Sequence, residues 1–183
     1  SLPDDPSIAV PVALLADGVP IDKLYPLDIE RAFTSLKKIR PHVSVWWTSA
    51  GQSAQVLVDK EVVYGMTYNG RIFDKPDIAY TYNQGYLVLS WWGVPKGTSA
   101  EQKAAVMKFF HETTVPENQV VAMEKIPYSG SSSKLDQLLS AEKRAIFPTT
   151  AGNAKVQWLA NSAEWQKIAP QVEKRWQQFK LGM

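Results

Sequence analysis

The chain has 183 residues, no cysteine, seven tryptophans and a formal charge of +2, from 20 basic and 18 acidic residues. Without cysteine there is no disulfide framework, no Cys-ligated metal and no thiol nucleophile. A hydrophobic share of 45% and a charged share of 21% is a globular balance, and the near-neutral charge gives no support to a nucleic-acid surface. No apolar run approaches the ~20 residues that span a bilayer. Length alone suggests one domain or slightly more, at about 100–200 residues each.

Residues 1–6 (SLPDDP) read as a linker or turn. Ser7 is the expected cap of an apolar helix ending at Asp17-Gly18, with Pro11 delaying or kinking it. Asp28 caps a second helix in which Ile29, Ala32, Phe33, Leu36 and Ile39 recur at helical spacing. Its basic end, Lys37-Lys38-Arg40, suits the negative end of the helix dipole.

Three β-branched or aromatic runs predict strands: Val43–Trp47, Glu61–Tyr68 and Tyr86–Trp92. The first runs into Thr48-Ser49 and a helix. The second runs into Asn69-Gly70 and a short helix. From Ser99 onward the pattern is mostly helical, with helices from Ser99, from Pro116 to about Glu124, and over Leu135–Ala145. Pro127–Lys134 reads as a Gly/Ser loop and Phe147–Ala154 as a loop. A last helix is capped by Ser162 and bent or interrupted by Pro170, with Trp165, Ile168, Ala169, Val172, Trp176 and Phe179 on one stripe. Strands alternating with helices predict an α/β arrangement.

No nucleotide-binding glycine fingerprint, P-loop, GxSxG or HExxH is present. His42 lies between Pro41 and a predicted strand, and His111 lies within a predicted helix, each outside any catalytic pattern, so no catalytic constellation, metal site or cofactor is expected. The segment Trp46-Trp47-Thr48-Ser49 draws more interest. A strand feeding small polar residues at a helix start places hydroxyls and unbonded N–H groups together, as suits an anion or polar ligand group. An ordinary N-cap with tryptophan in the core is the commoner meaning of such a segment, and local sequence leaves both open. Tyr68 and Asn69 sit at a second strand end, where ligands of open α/β sheets collect, or simply at an Asn-Gly turn.

Across nearly the whole chain the sequence resembles the extracellular solute-binding proteins of ABC importers, in the branch that includes the spermidine/putrescine-binding proteins. ALLADGVPIDKLYPLD (13–28), VWWTSAGQSAQ (45–55), EVVYGMTYNGR (61–71), WWGVPKGTSAEQKAAVMKFF (91–110) and IPYSGSSSK (126–134) carry the likeness in order, with AEWQ (163–166) a weaker sixth. The resemblance implies an α/β fold of the type II periplasmic-binding-protein class, with C-terminal helices and most of the N-terminal lobe absent. It divides the chain into 1–85, the main part of the second lobe; 86–135, a crossing strand and helical remainder of the first; and 136–183, C-terminal helices. Such proteins are not enzymes. They hold a small polar solute between two lobes in the periplasm and deliver it to ABC permease subunits. A sensing or interaction module of the same fold is the alternative.

The same likeness implies ligand contacts at Ser49, Tyr68, Tyr128 and Gln166, joined by Trp47, Thr48 and Asn69 around the two strand ends. Two positions depart from the polyamine pattern. Ser90 stands where a carboxylate pairs with a ligand ammonium, and Val88 stands where a second stacking tryptophan is expected. Losing a shielded charge-assisted bond of roughly 1.5–3 kcal/mol shifts the expected solute toward something less cationic or partly anionic. A companion lobe or an oligomer partner is expected to cover the exposed cleft.

Overall fold

The computed structural model describes residues 1–125, 128 and 130–182. Of the expected Gly/Ser loop, Pro127 and Ser129 lie outside the described residues, as does Ile126 of the IPYSGSSSK segment. The chain forms two compact units, one of Ser1–Tyr80 with Ala160–Met183, the other of Thr81–Leu159.

In the first unit, β1 (Leu2–Pro3) pairs in parallel with β2 (Trp46–Trp47), Leu2 opposite Trp46 and Pro3 opposite Trp47. The expected linker at 1–6 is therefore a strand followed by a helix start. α1 (Pro6–Ala16) is capped by Asp5, not Ser7: the Asp5 carboxylate accepts from Ser7 N at 2.8 Å. Proline at the first helical position explains the shift, because its fixed φ and missing N–H suit that place. Pro11 does not delay or end the helix. Residues 8–11 and 13–15 are all buried, and a helix that is apolar all round is held by packing on every side. Gly18, at φ +85°, closes α1 with Gly18 N donating to Leu15 O and Val19 N to Leu14 O. This is the left-handed stop that glycine adopts without a Cβ penalty.

α2 (Ile29–Ile39) starts at the Asp28 cap, as its spacing predicts. It packs with α1 against α9 (Ser162–Lys180). Val10, Leu14, Phe33, Leu36, Val172, Trp176 and Phe179 are each no more than 2% exposed and form the core. Trp46 joins it edge-on to Trp176 and Phe179, with ring centres 5.2 and 5.9 Å apart. Asn161, not Ser162, caps α9, and the helix runs through Pro170 unbroken.

The strand expected at Glu61–Tyr68 does not extend a ladder. It meets the residue before β1, with Ser1 N donating to Tyr64 O and Met66 N donating to Ser1 O, in parallel sense. The next donor in phase would be Pro3, which has no N–H to give. Gly65 permits this approach: a Cβ at that position would lie 2.7 Å from Ser1 Oγ.

In the second unit, the run Tyr86–Trp92 pairs only over β3 (Tyr86–Leu87), parallel to β4 (Trp158–Leu159), a strand the sequence reading missed. α4 (Ala100–Thr114) opens on a capping box between Ser99 and Gln102. α5 (Pro116–Lys125), α6 (Leu135–Leu138) and α7 (Ala141–Ile146) follow. α8 (Ala151–Ala154) forms within the expected loop. Met123, Leu135, Leu139 and Phe147 make a small core.

Candidate functional site

Three parallel segments of the first unit end on the same side. β1 leads into Asp4 and Asp5 at the start of α1. β2 leads into Thr48 and Ser49 at the start of α3 (Ala50–Val58). The third segment leads into Tyr68. Together with Pro6, Ile8, Trp47 and Ala50, these residues line a cleft of about 310 Å³. Carboxyl ends of parallel strands are where ligands of open α/β sheets bind. A cleft of a few hundred Å³ is the size of a small-molecule site.

The turn before α3 is held by a reciprocal pair of bonds. Gln52 N donates to Ser49 Oγ at 3.2 Å, and Thr48 N donates to Gln52 Oε1 at 2.9 Å. That leaves Ala50 and Gly51, in the first turn of α3, with N–H groups that have no acceptor inside the helix. They add to the positive end of the helix dipole, which favours an oxyanion or another acceptor.

The two carboxylates that line the cleft are largely engaged. Asp4 accepts from Trp176 Nε1 at 2.8 Å and from Lys180 Nζ at 2.9 Å, so its charge is matched within the protein. Asp5 spends one oxygen on Ser7, whose N and Oγ donate at 2.8 and 2.6 Å. Its other oxygen remains available to a donor on a ligand.

Trp47 forms the apolar wall. It is 7% exposed, and its ring centre lies 6.1 Å from that of Tyr68 at an interplanar angle of 60°. Its indole Nε1 is buried without a hydrogen-bond partner. An unmet buried donor costs about 1–3 kcal/mol.

Of the residues singled out from sequence, Trp47, Thr48, Ser49 and Tyr68 line this cleft. Asn69 follows Tyr68 at the first position of a short 3₁₀ turn, Asn69–Arg71, but does not line it. Gln166 is exposed near the start of α9. Ser90 and Tyr128 are exposed residues of the second unit. Asp4, Asp5, Pro6, Ile8 and Ala50 were not anticipated. The available signal was Asp5-Pro6, an acid directly before proline, which marks a helix start. Among the described residues no group of three or more His, Asp or Glu is placed to hold a metal ion. No helix there is long and apolar enough to cross a membrane.

These features are those of an α/β unit with a cleft at the ends of its parallel segments. The family model of bacterial extracellular solute-binding proteins matches residues 1–171, and the chain belongs to that family. It is similar to an ABC transporter substrate-binding protein from Bradyrhizobium japonicum USDA 110, with 36% identity over 97% of this chain and a TM-score of 0.82. It is also similar to the PBP MotA from A. tumefaciens B6 in complex with glucopine, with 30% identity over 96% of the chain and a TM-score of 0.79. The PBP AgtB from A. tumefaciens R10 in complex with agropinic acid shares 26% identity over 97% of the chain, with a TM-score of 0.77. The chain spans 57% of the length of each of these three. No match is found among curated proteins.

Proposed function

We propose that the chain serves as a solute-holding part of a periplasmic binding protein of an ABC importer, which captures a small polar metabolite and passes it to permease subunits without a chemical step. The observation that carries this reading is the convergence of Trp47, Thr48, Ser49 and Tyr68 with the first-turn N–H groups of α3 at the ends of three parallel segments. The ligand class follows from what is left unpaired there. An acceptor, such as a carboxylate or a sugar hydroxyl, meets the N–H groups of Ala50 and Gly51. A donor on the same solute meets the remaining Asp5 oxygen. Such a solute uses both walls of the cleft.

A polyamine brings only cationic donors. It leaves the α3 donors unmet and finds Asp4 already matched by Lys180. The reading therefore favours acid- or hydroxyl-bearing solutes over spermidine and putrescine. The glucopine and agropinic acid complexes of the similar proteins support that choice. A further lobe or a second copy of the chain covering the open side of the cleft belongs to the same proposal.

The test is thermal unfolding against a panel of glucopine, agropinic acid, ω-amino acids, putrescine and spermidine. Ligand at 100 times its dissociation constant stabilises the folded state by about 2.7 kcal/mol. Stabilisation by one of the acid- or hydroxyl-bearing solutes is expected. Stabilisation by spermidine alone overturns the ligand class, and no response to any member overturns the binding role. Light scattering that shows a monomer still able to bind solute removes the covering partner.

A further inference from the structure

The two hydroxyl-bearing walls of the cleft come from separate stretches of chain, the Thr48–Ser49 turn and the segment ending in Tyr68. Behind them lies Ser53, fully buried at 0% exposure. Its Oγ lies 2.8 Å from Ala50 O and 2.8 Å from Thr67 Oγ1. A serine hydroxyl has one proton, and a carbonyl oxygen can only accept. The Ser53 proton therefore goes to Ala50 O, and Thr67 donates to Ser53. The relay Thr67→Ser53→Ala50 thus ties the third parallel segment to the first turn of α3. One end reaches the cleft, since Ala50 lines it, and the other stops one residue away, since Tyr68, the neighbour of Thr67, lines it too. Ser53 and Thr67 themselves do not line it.

A serine bonded back to its own helix is common and by itself local. The Thr67 contact is different, because it spans 14 positions of sequence and joins the two walls. We propose that Ser53 and Thr67 are positioning residues, which set the spacing between the Tyr68 ring and the Thr48–Ser49 turn and so control solute affinity without touching the solute. This rests on the cleft being the solute site.

The test uses the full chain with Thr67→Val, which keeps the shape and removes the donor, and Thr67→Ser, which keeps the donor. Glucopine is the titrant. A second readout needs no ligand: the ¹⁹F resonance of Tyr68 in chain labelled with 3-fluorotyrosine, assigned by its loss in Tyr68→Phe. Thr67→Val is expected to shift or broaden that resonance and to weaken glucopine binding about tenfold, the scale of one net hydrogen bond. Thr67→Ser is expected to match wild type in both. An unmoved Tyr68 resonance in Thr67→Val overturns the inference whether or not a solute binds. So does unchanged glucopine affinity, or a Thr67→Ser variant as weak as Thr67→Val. A moved resonance with no binding of glucopine even by wild type leaves the relay standing and counts against the cleft as a glucopine site.

Discussion

The two units hold their helices by different means. In the first, α1 is buried on nearly every side, and Trp176 and Phe179 of α9 pack edge-on against Trp46 of β2. Asp4 at the end of β1 is tied to α9 through Trp176 and Lys180. In the second, α4 has no buried residue, although Met107 and Phe109 are on it. Its start is set by local sequence: a capping box and Glu101 in the first turn. Trp91 and Trp92 before it are 86% and 70% exposed. Trp92 meets the rings of Phe109 and Phe110, with ring centres 5.6 and 5.9 Å away. Local signals are enough to form a helix, but burial is what fixes where a side chain sits. The candidate site is built where burial is deep.

This contrast sets the order of expected effects. Trp176→Ala should be the most damaging change. It empties a fully packed position and breaks the bond to Asp4, a loss of about 3–5 kcal/mol for a buried tryptophan. Denaturant unfolding monitored by far-UV circular dichroism checks it. A loss below about 1 kcal/mol would mean that the α1–α2–α9 core is not the main support of the first unit.

Ser99→Ala should come next. Removing a capping-box serine costs about 0.5–2 kcal/mol, and because the tie of α4 to α5 through Asn118 and Gln119 lies at its far end, the loss should appear as fraying of its first turn. Hydrogen exchange at residues 100–104 reads it directly, and unchanged protection would show that α4 is held by something other than its cap.

A smaller effect on stability at neutral pH lies at the surface ion pairs. Arg175 beside Glu30, and Arg31 and Lys38 beside Asp17, hold these carboxyls below the ordinary carboxylate range through side-chain hydrogen bonds. A depressed carboxylate stabilises the fold above its unfolded value, and that contribution is lost as pH falls through the lower folded value. Wild type should therefore lose more thermal stability between pH 6 and pH 3 than an Arg31→Met, Arg175→Met double variant. Parallel curves would mean that solvent screening cancels both pairs.

Phe109→Ala marks the other end of the scale. Phe109 is 52% exposed, and a surface change of this kind should stay within about 0.5 kcal/mol. A large loss would show that the aromatic face of α4 is covered in solution.

Much of the helical skeleton is legible from sequence. The 3.6-residue spacing from Ile29 to Ile39 gives α2, Ser99-x-x-Gln102 opens α4, and the Trp165–Phe179 stripe gives α9. The strands are less so. A run such as EVVYGMTY carries strand propensity, but how far it pairs depends on its partner, and Pro3, outside the run, has no N–H to offer it. Caps shift by a residue or two because proline at the first helical position moved the start of α1. Within the site, a strand running into small polar residues marked Thr48 and Ser49, and a strand-end tyrosine marked Tyr68. Asp4 and Asp5 were hidden by a segment whose prolines and acids resemble a linker. The Ser53–Thr67 bond could not be read at all, since nothing local announces a contact between a helix and a distant strand end.

The central claim is that the cleft receives a polar solute with an acceptor on the first turn of α3. An amide NMR titration of ¹⁵N-labelled chain with glucopine and agropinic acid tests it most directly. The account predicts saturable shifts largest at the amides of Ala50 and Gly51 and at the indole N–H of Trp47. Saturable shifts confined to residues outside the cleft, or no shifts at all with these solutes, would contradict it.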